Sequence, residues 1–155
     1  MKFTSKEDIE APIEQVFSML SEFETFERSA IRRGVEVIRT DTNPSPAVGF
    51  AWNAKFELRG KLRDLNINLV TYDHPTAMCF ESDSQGLDGV VTVDLMALSP
   101  RRTRMSVSVD LSPKTLSARL LVQSLKLAKS NLNKRFKLKV AKYAKNMEDR
   151  HSRTA

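Results

Sequence analysis

Apolar and polar residues alternate through the middle of the chain. Phe50, Trp52, Ala54, Phe56 and Leu58 are interleaved with Ala51, Asn53, Lys55, Glu57 and Arg59. A period of two predicts a strand with one buried face. The same alternation returns at Leu65, Ile67 and Leu69, at Met78 and Phe80, at Val91, Val93 and Leu95, and at Met105, Val107, Val109 and Leu111. Turn-forming residues punctuate these runs: the double-proline loop 41–46, Asp73-His74-Pro75-Thr76, Gln85-Gly86 and Ser99-Pro100-Arg101-Arg102. A first strand is predicted over 2–9, and Val35 and Val37 mark a short one. Between them the period changes. Ile13, Val16, Phe17 and Leu20 share one helical face behind Pro12. Phe23, Phe26 and Ala30 form a second short helix that Gly34 is placed to end.

The chain closes on a long helical pattern, with Ser112-Pro113 read as its N-cap and first-turn proline. Its apolar stripe is Leu121, Leu125, Ala128, Leu132, Phe136, Tyr143 and Met147. At about 1.5 Å per residue, 113–148 would run roughly 50 Å, so the helix must bend or project. Strands segregated from helices predict an α+β fold: a curved antiparallel sheet around a long C-terminal helix, with two short helices after strand 1. One domain is expected over 1–148, followed by a frayed polar tail at 149–155.

Charge is unevenly distributed. Residues 114–150 hold eleven Lys/Arg and two Asp/Glu, a charge of +9 against +6 for the whole chain. No apolar run is long enough to span a membrane, and the first residues lack the apolar core of a secretory signal. One cysteine, Cys79, excludes an internal disulfide and suits a reducing compartment. The expected location is cytoplasmic.

Several motifs resemble one family. Ile9-Glu10-Ala11-Pro12-Ile13-Glu14-Gln15-Val16-Phe17 is similar to the strand-to-helix junction of START-like, helix-grip proteins. That superfamily, also called SRPBCC, takes in polyketide cyclase/dehydrase and lipid-transport-like proteins. Val48-Gly49, Gly60, His74-Pro75 and Thr103-Arg104 fit the same pattern. The resemblance implies a sheet gripping the C-terminal helix over an apolar cavity for a lipid, isoprenoid or polyketide-like ligand. It does not carry over a metal site, since no His/Asp or His/Cys cluster is present, nor a glycine-rich loop after the second strand.

The chemistry-bearing residues are sparse. His74 precedes a proline in a turn, His151 lies in the polar tail, and Cys79 has no basic neighbour to activate it. No cofactor and no catalytic set is expected. Glu7 shares the parity of Phe3 and Ile9, so an inward carboxylate would favour a cyclase- or dehydrase-like enzyme. Asp94 and Asp110 fall on the solvated face.

The expected ligand-binding residues are Trp52, Phe56, Ile67, Leu69, Met78, Phe80, Val91, Val93, Met105, Val107, Leu125, Leu132 and Phe136. A fully packed core would explain the same alternation. The leading expectation is a carrier of a hydrophobic small molecule, reached between the closing helix and the loop 41–48. The alternative is an interaction module in which Lys126, Lys134, Arg135, Lys137, Lys142 and Lys145 dock to an anionic membrane, RNA or a protein partner. Leu116, Leu120, Leu127 and Leu138 fall on the same side. Missing aromatics on this face argue against nucleic acid. Monomer and homodimer both remain open.

Overall fold

A computed structural model describes residues 1–154. Seven strands form one antiparallel sheet: β1 (Lys2–Ile9), β2 (Glu36–Arg39), β3 (Ala51–Leu58), β4 (Lys61–Asp73), β5 (Ala77–Ser84), β6 (Leu87–Ser99) and β7 (Arg102–Pro113). Their spatial order is β1-β7-β6-β5-β4-β3-β2, so the first and last strands meet at one end. The short helices α1 (Ile13–Leu20) and α2 (Phe23–Arg32) follow β1. The C-terminal segment is two helices, α3 (Leu116–Leu127) and α4 (Lys129–Thr154). This is the helix-grip arrangement expected from the sequence.

The buried core follows the predicted parity. Ile9, Phe50, Trp52, Leu69, Met78, Val93, Leu95 and Met105 point inward from the sheet. Val140, Ala144 and Met147 meet them from α4, and Val16, Phe17 and Phe23 from the short helices. Phe23 lies within 6.3 Å, centroid to centroid, of Phe50, Trp52, Tyr72 and Phe80. Such tilted and edge-on pairs add to simple burial. A register shift in β4 between Leu69 and Thr71 restores Tyr72 to the inner side, where its hydroxyl donates to Ser21 Oγ at 2.7 Å.

Three readings of the closing segment change. Ser112 and Pro113 stay in β7, paired with Asp88 and Leu87, and Thr115 is the N-cap, its hydroxyl accepting from Ala118 N–H at 3.1 Å. The sheet ladder out-competes an earlier helix start. The helix also breaks at Ala128, which resolves the excess length. At the far end, residues 149–154 extend α4 where the sequence suggests fraying. The Arg150 guanidinium forks onto the Glu22 carboxylate at 2.7 and 3.0 Å, and Glu148 accepts the Glu10 N–H at 2.9 Å. Arg150 holds Glu22 below its ordinary pKa, and the Glu10 N–H does the same for Glu148. Ala155, the last residue of that tail, lies outside the described residues. Among the described residues no helix is long and apolar enough to cross a membrane.

Candidate functional site

The molecule is unequally filled along its length. Toward the 41–48 loop, α1, α2 and α4 cover the sheet and the aromatic cluster fills the space. Toward the opposite end of β3, α3 lines the inner side of the sheet, and the inward residues there shrink to Ser82, Ser84 and Gly89. Gly89 pairs with Ser82 on one side and Leu111 on the other, so a side chain is missing at an inward position. A Cβ built there would meet Ser82 Oγ and approach Leu111 Cδ2 at 3.4 Å.

The result is a cavity of about 240 Å³ between the sheet and α3. Phe56, Leu58, Leu65, Leu87 and Leu111 form its apolar floor, and Ala118, Leu121 and Leu125 its roof. Lys61, Gln85 and Ser117 also line it. The Ser84 hydroxyl is already committed, donating to the Asp64 carbonyl at 2.7 Å. Arg63 is different. It pairs with Phe56 across the β3–β4 ladder and so shares its inward face. Its Nε is cut off from solvent and has no hydrogen-bond partner among the described residues. Leaving such a donor unmet costs about 1–3 kcal/mol.

A second depression of about 420 Å³ lies over β1 and β7. It is polar and open, lined by Thr4, Lys6, Ser106 and Ser108 of one parity and Ser5, Glu7 and Val107 of the other, with Asp94 and Lys137. Glu7 is therefore half-buried beside a lysine in a wet cleft and does not line the apolar cavity.

Of the thirteen expected ligand residues, the cavity brings together Phe56 and Leu125. Trp52, Leu69, Met78, Val93 and Met105 are buried core, and Ile67, Phe80, Val107 and Phe136 pack against it. Val91 and Leu132 are half-buried elsewhere. The cavity also lies at the end of β3 away from loop 41–48. Arg63, Gly89, Ser82 and Ala118 line the cavity and were not among the residues expected from the sequence. A charge on the parity of Leu65 and Ile67, and a glycine on the parity of Val91 and Val93, were the available signals.

The remaining candidates are placed as follows. His74 sits edge-on to Phe17 with ring centroids 5.0 Å apart, and Cys79 Sγ contacts Thr92 Oγ1 at 3.9 Å. Among the described residues no group of three or more His, Cys, Asp or Glu side chains is placed to hold a metal ion. Lys126, Lys134, Arg135, Lys137, Lys142 and Lys145 are all exposed, and Lys145 is paired with Glu148 and Asp149.

Comparison with known proteins returns no matching family model and no matching curated protein. Solved structures do match. TTHA0849 from Thermus thermophilus superposes with a TM-score of 0.66 at 14% identity, covering 100% of this chain and 99% of that one. The Zhui aromatase/cyclase from Streptomyces sp. R1128 gives 0.60 at 11% identity over 84% and 86% of the two chains. A START superfamily protein from Mycobacterium smegmatis gives 0.56 at 13% identity over 86% and 95%. The chain thus has the helix-grip fold of START-like proteins.

Proposed function

We propose that the chain binds a compact apolar molecule with an acidic head, in the cavity between the sheet and α3. The observation that carries this is Arg63: a guanidinium with an unpartnered, desolvated Nε, set among leucines and a phenylalanine. A carboxylate or other anion in the cavity would give the Arg63 guanidinium the charged partner that no described residue supplies. At about 240 Å³ the cavity lies below the usual range for ligand sites of roughly 300–1,000 Å³, which favours a short or folded ligand over a long-chain lipid. Its lining is mainly leucine, phenylalanine and alanine side chains, which suits binding of an apolar body. START-like neighbours lend general support to an apolar ligand.

The test is native mass spectrometry and thermal shift with a medium-chain fatty acid and the corresponding alcohol. The wild-type chain is expected to prefer the acid. Leu125→Trp, which fills the cavity, is expected to take up neither. Arg63→Met is expected to lose the preference for the acid. Because Arg63→Met removes an unmet donor, the ligand-free variant should be about 1 kcal/mol more stable than wild type, so lost binding is not unfolding. Equal uptake of acid and alcohol by the wild type, or unchanged uptake by folded Leu125→Trp, would overturn the reading.

A further inference from the structure

The inner face of α3 is accounted for by the cavity; its outer face is not. Leu116, Leu120 and Leu127 are 73%, 59% and 92% exposed, and with 3.6 residues per turn they fall within an arc of about 40°. Ala118 and Val122, on the opposite side, are buried. Arg119 and Lys126, seven residues apart, run as a line beside the leucines. From Leu111 to Met147 the sequence contains ten Lys/Arg and no Asp or Glu. A helix that covers a core needs no second row of leucines, and a solvated face does not gain from one.

We infer that this face docks on an anionic lipid bilayer, the leucines entering the interface and Arg119 and Lys126 meeting the headgroups. Charge complementarity selects this occupant. Pairing α3 with a second copy would bring Arg119 and Lys126 against their like, with no acidic residue on the segment to neutralise them. RNA would use the cations but leaves three leucines without a role, and the face has no aromatic side chain for base stacking. An in-plane helix with an apolar stripe and basic flanks fits a membrane surface on both counts. The same helix roofs the cavity through Ala118, Leu121 and Leu125, so docking would set the cavity beside the bilayer. The inference rests on the outer face and stands without the ligand assignment.

The experiment is co-sedimentation with vesicles of phosphatidylcholine and phosphatidylserine in equal parts, against phosphatidylcholine alone. The intact chain is expected to sediment with the mixed vesicles only, and to be released at ~1 M salt, where the screening length falls to about 3 Å. Leu120→Gln with Leu127→Gln, both at exposed positions, should weaken binding by about tenfold or more. Arg119→Glu with Lys126→Glu should abolish it. Leu125→Trp should sediment like wild type whether or not its cavity is blocked, which separates this inference from the ligand reading. No sedimentation at low salt, or sedimentation indifferent to the leucine pair, overturns it. So does a homodimer in light scattering that the leucine pair disperses, or retention of single-stranded RNA in place of vesicles.

Discussion

Asp41 shows how much one carboxylate can organise. It accepts from Arg39 Nε at 2.6 Å, from Arg39 Nη2 at 2.7 Å, and from the backbone N–H groups of Asn43 and Ala51, both at 3.0 Å. Arg39 in turn lies 3.7 Å over the Phe50 ring. The start of the loop 41–48 is therefore tied to Arg39 of β2 and to the first residue of β3. The Arg39 hydrogen bond, with the two N–H donors, holds the Asp41 carboxyl well below its ordinary value of 3.8. A carboxylate depressed on folding stabilises the native state above its unfolded pKa and loses that contribution as pH falls. Asp41→Asn is accordingly expected to melt below wild type at neutral pH, with the gap closing as the pH drops beneath about 4. A gap that does not change with pH, in thermal melts across that window, would show that the charge is not what holds the loop.

At the scale of elements, Gly86 joins the β5–β6 hairpin to α3. Its carbonyl accepts the Lys114 N–H at 2.6 Å, its φ is +85°, and a Cβ there would collide with Thr115, the cap of α3. Gly34, at φ +89°, has open space around the same position. Gly34→Ala should therefore cost about 1 kcal/mol for backbone strain alone, and Gly86→Ala about 2–3 kcal/mol, read in denaturant unfolding. Equal losses would mean that the hairpin does not seat the helix. The strands were legible because each buries one face, and burial on one face writes a period of two into the sequence. The helix break at Ala128 was not, because alanine is a good helix former and nothing local announces a stop. Thr115 lost to Ser112-Pro113 as the expected cap because the ladder to Asp88 and Leu87 is a long-range contact. The cavity was illegible for a related reason. Alternation tells which side chains point inward, but whether they meet depends on the small residues opposite, Ser82 and Gly89, and on which helix lies above them.

Across the whole molecule, the C-terminal segment divides its labour at Ala128. α4 is fastened to β1 and to the short helices through Val140, Ala144 and Met147 and by the Glu148 and Arg150 contacts. α3 faces a cavity on one side and solvent on the other. The sheet itself is lopsided in another respect. β1 lies against α4, but β2 pairs only with residues 52–55 of β3, so among the described residues no strand borders that side of Phe56, Glu57 and Leu58. A bare stretch of ladder is a place where a neighbouring molecule can add its own strand. Glu57 stands exposed in the middle of it, with the exposed Lys55 and Arg59 just beyond its two ends, so an incoming strand would have to bury or match these charges. Lys55→Val with Glu57→Val is expected to leave the circular dichroism spectrum unchanged while light scattering rises on storage; clear solutions would show that the brevity of the gap is protection enough. On this expectation the unfinished edge makes colloidal stability depend on a few exposed charges outside the core.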